Sequence, residues 1–353
     1  MRYLTAGESH GEALVGILEG LPAGLKVDID FINDMLKARQ NVYGRGSRSS
    51  VCRDEARIIA GLNDGVTTGA PLAVMLNNGN CGNKGNFDFY RPGHADYAAN
   101  IKYGLGDAAL GAERASARET AMRTALGAVA IGLLKELGIQ VTAYVTQIGQ
   151  AKANEGPLDE KMMCDVSSVE SLKAVLDEAE RTGDTLGGKL KLTISGVKAG
   201  IGSHVFYDRR LDYRLGGALM AIPAVKAVES GLGCDFAYSL GSRVADSFVN
   251  TGGKISRTSN NCGGIEGGIS NGEDIIFTLT VKPIPSIAGL KTVDSCGNEC
   301  VTGKVRGDVC AVPAACIVAE AVAALELAGA IMDTLGGDNM NELIERYKQK
   351  GEL

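Results

Sequence analysis

The stretch from Val309 to Met332 constrains the fold more than any other part of this chain. It is apolar enough to suggest a membrane span, but Pro313, Glu320 and Glu326 interrupt it. Charges inside a span are costly, so the segment reads as a core helix of a globular protein. A second helical pattern runs from Ala117 to Leu137. Met122, Leu126, Val129, Leu133 and Leu134 recur there at helical spacing, with Arg123 and Lys135 off that face. Shorter helices are predicted over Asp30–Ala38, Val169–Glu180 and Met340–Gln349. Strands are predicted over Ala13–Leu18, Ala56–Ala60, Leu72–Leu76, Val141–Val145, Lys189–Ile194 and Asp274–Val281, the last ending at Pro283. Helices and strands interleave without the steady rhythm of a parallel sheet, so the expected class is α+β. No repeat or linker divides residues 1–353, which reads as one domain.

Charge and composition then exclude function classes. The net charge is −6, with no basic tail, which disfavours a nucleic-acid partner. Aromatic residues are scarce and Trp is absent, so no base-stacking platform is expected. Nine cysteines, an odd number, suit a reducing compartment. The N-terminal segment meets Glu8 and His10 before any apolar run, so no signal peptide or membrane partner is expected and the localisation reads as cytoplasmic. The 48 glycines, nearly double the average share of roughly 7%, imply many tight loops near ligands or other backbone.

Those loops carry the candidate chemistry. His10 and His94 each sit in a short loop with glycine and a carboxylate close by, as Glu8-Ser9-His10-Gly11 and Gly93-His94-Ala95-Asp96. Histidine titrates near neutrality, so both are candidate proton carriers; the competing reading is two hydrogen-bonded loop residues. His204 has no such setting and is assigned to structure. Arg39, Arg45 and Arg48 fall within ten residues, the last two in Gly44–Ser50, which suits either an anion site or a solvated basic face. Ser116-Ala117-Arg118-Glu119 fits a capping box, which places Arg118 in the first helical turn and Arg114 just before it. Two cations at the positive end of a helix dipole make sense if an anion joins them, or if carboxylates such as Glu113 draw them away. Arg306-Gly307-Asp308 opens the apolar helix; Asp308 is either its N-cap or a base held near a ligand.

There is no Walker A segment, no G-x-G-x-x-G after a strand and no G-x-S-x-G elbow. Cys296 and Cys300 form one isolated pair, so no metal site is expected. The residues by themselves describe an enzyme or binder for small polyanions.

Gly7-Glu8-Ser9-His10-Gly11 resembles the first signature of the chorismate synthases. The likeness continues through Arg39 and Arg45, Arg91–Tyr97, Ser116–Thr120 with Arg114, Ile222–Glu229, Gly267–Gly272, Lys282–Ser286 and Arg306-Gly307-Asp308. These blocks stand in family order along nearly the whole chain. The resemblance implies a helical core sandwiched between antiparallel sheets and assembly as a homotetramer. It implies a lyase of the shikimate pathway, serving aromatic amino acid biosynthesis, that eliminates phosphate from 5-enolpyruvylshikimate 3-phosphate on reduced FMN. NADPH enters only if the protein reduces its own flavin; otherwise a separate flavin reductase supplies it. By resemblance His10 protonates the departing phosphate, His94 protonates the reduced flavin and Asp308 assists removal of the ring proton. Arg39, Arg45 and Arg48 match positions for a phosphorylated ligand, substrate or NADP. FMN contacts fall on Arg114, Ala115, Ser116, Pro223, Ala224, Gly267, Lys282, Pro283, Ile284, Pro285, Ser286 and Arg306.

Three positions depart from the family pattern: Ala115 for a serine, Gly307 for Ser or His, and Asn41-Val42 for Pro-Gly. An active enzyme with altered flavin affinity is expected. The competing readings are another FMN or phosphosugar enzyme on the same scaffold, and an RNA binder using Gly44–Ser50.

Overall fold

The structure, a computed structural model, describes residues 1–46, 53–79, 87–305 and 307–350. In chain order its main elements are β1 (Arg2–Ala6), β2 (Ala13–Glu19), α1 (Ile29–Asn41), β3 (Ala56–Ala60) and β4 (Leu72–Asn77). Then come α2 (Asp96–Tyr103), α3 (Ala108–Ala115), α4 (Thr120–Glu136), β5 (Gln140–Ile148), β6 (Ala151–Lys152) and α5 (Val169–Thr182). The rest are β7 (Gly188–Ser195), α6 (Leu211–Met220), β8 (Val225–Ser230), β9 (Ile275–Val281), α7 (Val312–Leu335) and α8 (Met340–Gln349).

Two antiparallel sheets enclose a helical layer. The first has the order β1-β2-β4-β3 and packs on α4; the second has the order β8-β9-β7-β5-β6 and packs on α7. Strict alternation fixes which face each strand buries. Leu72, Val74 and Leu76 turn inward from the first sheet, and Ile275, Phe277, Leu279 and Val281 from the second. Helices α1, α4 and α7 lie between, so the expected helical core between antiparallel sheets is what the chain forms.

The apolar stretch is indeed a core helix: the most apolar window of α7 is 83% buried. Its interruptions are each accommodated. Pro313 lies in the first turn, where its missing N–H removes no intrahelical bond. Glu320 accepts the Ala143 N–H at 2.7 Å, and burial pushes its carboxyl up to about 8, so it enters the core protonated at neutral pH. Glu326 meets Arg214 at 3.4 Å.

Helix α4 buries nearly its whole circumference and not the single face its spacing suggests, because α7 and both sheets surround it. Where α4 crosses α7, Gly127 permits contact that no other residue allows. A Cβ there would lie 2.4 Å from Ala321 Cβ and 2.5 Å from Ala321 O. Gly127→Ala is therefore expected to destabilise the protein by about 1–3 kcal/mol through overpacking, outweighing alanine's better helix propensity. A urea titration in which the variant's midpoint equals or exceeds the parent's would refute this.

Candidate active site

Four helix ends converge on one cavity of about 700 Å³. The C-terminal ends of α1 and α3, the entry to α4 and the N-terminal end of α7 meet there, beside β8 and the turn after β9. The volume suits a small-molecule site, for which roughly 300–1,000 Å³ is usual. Of the residues singled out from sequence, His10, His94, Asp308, Arg39, Arg45, Ala115, Ser116, Pro223, Ala224, Lys282, Ile284, Pro285 and Ser286 line it. Arg114, Gly267 and Pro283 are absent from that lining. Arg48 and Arg306 lie outside the described residues.

His10 is held by α3. Glu113 accepts the His10 backbone N–H at 2.8 Å with one carboxylate oxygen and contacts His10 Nδ1 at 2.8 Å with the other. The Glu113 carbonyl accepts the Ser9 N–H. His94 is held from the start of α2. Asp96, fully buried, lies 2.5 Å from His94 Nδ1 and also accepts three bonds from Arg91: Nε at 2.7 Å, Nη2 at 2.9 Å and the backbone N–H at 3.2 Å. Burial alone would raise the Asp96 carboxyl, but hydrogen bonds from His94 and Arg91 more than offset it and hold it down at about 2. Lys282 Nζ donates to the Gly93 carbonyl and ties the same loop to the turn after β9.

Asp308 is not a helix cap. Helix α7 starts at Val312, and the Asp308 carboxylate instead bonds Arg45 Nη1 at 2.5 Å and the Gly46 N–H at 2.7 Å. Glycine lets the two segments approach, because a Cβ on Gly46 would stand 2.7 Å from the Gly307 carbonyl oxygen. Gly307 in turn lies under Ser286, whose Oγ would be 2.6 Å from a Cβ at 307, so a larger residue there must displace the Ser286 side chain.

Arginines form the floor. Arg39, in the last turn of α1, is buried and bonds Asp54 at 3.0 Å; burial and the charge of Arg45 lower its pKa to about 10. Arg118 bonds the same Asp54 at 2.7 Å and Asn78 at 3.0 Å. Desolvation works against the Asp54 carboxylate, but the two guanidiniums outweigh it and lower its pKa. Buried donor atoms remain without a hydrogen-bond partner among the described residues: Arg39 Nε, Arg45 Nε and Arg118 Nη2.

The helix entry differs from the capping-box expectation. Ser116 does cap, accepting the Arg118 N–H at 3.2 Å, but it caps a short 3-10 turn, Ala117–Glu119, that precedes α4. Glu119 does not reach back to Ser116; it binds Thr5 Oγ1 and Arg123. Arg114 is not at a helix N-terminus. It ends α3, where the dipole favours a cation, and donates to the Thr5 and Gly7 carbonyls. Sequence reasoning missed Asp54 and misplaced Glu113, which serves His10 and not an arginine.

The cavity is of small-molecule size and is lined by arginines and two histidines, and comparison with known proteins gives the class of protein. The chorismate synthase family profile matches residues 1–332. The chain is 44% identical to the chorismate synthase of Desulforudis audaxviator, covering 99% of this chain and 97% of that protein. It is 44% identical to that of Geobacter sulfurreducens, covering 99% and 98%. A solved structure titled as a crystal structure of chorismate synthase superposes with a TM-score of 0.81 at 36% identity, over 98% of this chain and 96% of that one. The chain belongs to the chorismate synthase family, which are lyases of the shikimate pathway to aromatic amino acids. Membership is consistent with a flavin cofactor.

Proposed function

We propose that this chain forms chorismate by 1,4-anti elimination of phosphate from 5-enolpyruvylshikimate 3-phosphate, with reduced FMN. The observation that carries the proposal is that three guanidinium side chains, Arg39, Arg45 and Arg118, line one cavity together with two histidines. Guanidiniums gathered around a cavity bind phosphate and carboxylate oxygens through charge-assisted, often bidentate hydrogen bonds, which suits a phosphorylated dicarboxylate. In the reaction one C–O and one C–H bond break, a C=C bond forms, and phosphate leaves with no net redox change.

The residues fit the flavin as well. Ala115, Ser116, Pro223, Ala224, Lys282, Ile284, Pro285 and Ser286 form one wall, where small and apolar side chains face a planar ring and Lys282 and Ser286 offer donors. Pro283 would hold that wall from behind, packed toward Gly187; Arg48, Arg114, Gly267 and Arg306 stay in the proposed ligand-binding set by resemblance. Reduced FMN, when bound, supplies a transient electron. His10 carries a proton to the departing phosphate, His94 serves as the second proton carrier, and Asp308 assists removal of the ring proton. Arg45 bonds the Asp308 carboxylate at 2.5 Å and holds it in the cavity wall.

We further read residues 1–353 as a single domain, working in the cytoplasm as a homotetramer. Val205, Phe206, Tyr207, Tyr238, Leu240, Phe248 and Ile255 are each more than half exposed, large apolar side chains that assembly would cover.

The test is an anaerobic assay with chemically reduced FMN, following chorismate and free phosphate together. Stoichiometric release of both is expected; binding of both ligands without either product would refute the activity. Replacing reduced FMN by oxidised FMN and NADPH distinguishes a self-reducing enzyme from one served by a reductase. Ala115→Ser restores a hydroxyl to the wall and is expected to tighten FMN binding roughly 2- to 10-fold, the effect of one added hydrogen bond. An unchanged FMN Kd would show that Ala115 is neutral.

A further inference from the structure

The two histidines share a device that their own loops do not supply. Each presents Nδ1 to a carboxylate that belongs to a helix: Glu113 of α3 for His10, at 2.8 Å, and Asp96 of α2 for His94, at 2.5 Å. We propose that Asp96 and Glu113 are positioning residues that fix both imidazoles as the Nδ1–H tautomer, leaving Nε2 as the nitrogen that exchanges a proton with the cavity; this rests on reading both histidines as proton carriers.

An ionised carboxylate only accepts, so a ring nitrogen at these distances must donate. Asp96 is held as the carboxylate, as described above, and Arg91 Nη2 reaches the same oxygen as His94 Nδ1, which is why those two nitrogens lie 3.0 Å apart. The charged groups around His94 are Arg91 of its own loop, Asp96 of α2 and Lys282 at the Gly93 carbonyl. Among the described residues, those around His10 are Glu8 of its loop, with Glu113 and Arg114 of α3, the latter gripping Thr5 and Gly7 ahead of the histidine. The two clamps are one mechanical unit. Gly111 lets α3 lie against α2 at the clamp itself, since a Cβ there would stand 3.0 Å from the Asp96 carbonyl oxygen and 3.1 Å from Ala99 Cβ. One packed helix pair therefore sets the orientation of both rings, as a carboxylate sets a histidine in hydrolase and metal sites.

The amide variants separate positioning from packing. In Glu113→Gln the backbone N–H of His10 still requires an oxygen, so the amide nitrogen falls opposite Nδ1 and becomes a donor. In Asp96→Asn the Arg91 Nε and backbone N–H claim the amide oxygen at the Oδ2 position, so the amide nitrogen falls at the Oδ1 position opposite His94 Nδ1, and Arg91 Nη2 loses its bond there. Both changes demand a bare Nδ1 and hence the Nε2–H tautomer. The chain has three histidines, so its ¹⁵N-labelled imidazoles are resolved and assigned with single variants. Measured on the ligand-free protein above the ring titration, His10 and His94 are expected as Nδ1–H; Asp96→Asn should convert His94 alone and Glu113→Gln His10 alone. Turnover should fall by about 10²- to 10⁴-fold in each, with KM within a few-fold. An Nε2–H tautomer at either ring in the parent, or tautomers unmoved by the amide variants, would overturn the proposal without recourse to variant folding. A parent showing both Nδ1–H rings but making no chorismate would support the clamps and sink the functional reading.

Discussion

Alanine at His10 or at His94 is expected to slow chorismate formation by about 10²- to 10⁴-fold, the usual worth of a positioned proton carrier. Neither change should unfold the chain. The His10 side chain is 23% exposed and spans a short loop that Glu113 still holds through the backbone N–H. Loss of the His94 ring leaves Asp96 with its bonds from Arg91, so no buried carboxylate is stranded. Substrate affinity should change less than turnover, because the cavity-lining guanidiniums of Arg39, Arg45 and Arg118 do not depend on either ring. Single-turnover kinetics with reduced FMN and saturating substrate check the expectation. The double variant should lose less than the product of the two single losses if the rings act in one coupled elimination. Turnover within threefold of the parent in either single variant would remove that histidine from the mechanism.

Much of this architecture is legible in the chain because burial imposes a period. Ile275–Val281 alternates, and it forms a strand with every second residue inward; Met122, Leu126 and Val129 recur at helical spacing, and they lie on a core helix. The elements that escape notice lack such a period. Helix α3, AALGAERA, is short, with small residues on its buried face, so no hydrophobic period marks it; its local signals are the Asp107 N-cap and its alanines. That omission carries the error at Arg114: without α3 it stands before a helix, and with α3 it ends one. The cavity is legible in kind but not in connection. Histidine and arginine in glycine-rich loops point to proton transfer and anions, and His94 has its partner Asp96 two residues on, while the other partners are set by tertiary contact. Asp54 lies 15 residues from Arg39 and 64 from Arg118, and Asp308 lies 263 from Arg45, separations over which no local pattern carries information.

Asp54 is where stability and binding meet. Its side chain is 1% exposed and serves Arg39 and Arg118 at once, so Asp54→Ala leaves two buried cations close to each other and to Arg45. Removing one partner of a buried ion pair costs roughly 3–5 kcal/mol, and here one carboxylate answers two partners. Among the described residues, these three arginines meet two carboxylates, Asp54 and Asp308, so this cluster carries an excess of positive charge, which the phosphate of the proposed substrate would neutralise. The variant carries more. Ligand binding to the folded state adds stability in proportion to RT ln(1 + [L]/Kd), and a phosphorylated dicarboxylate should therefore stabilise Asp54→Ala more than the parent. Urea unfolding with and without saturating 5-enolpyruvylshikimate 3-phosphate measures both effects. A large loss without ligand, partly recovered with it, is the expected result. Equal loss in the two conditions would mean that Asp54 fastens α1 to the helix entry and nothing more. No loss at all would mean that Arg39 and Arg118 find solvent or other acceptors when their carboxylate is gone, and that the anion site does not depend on it.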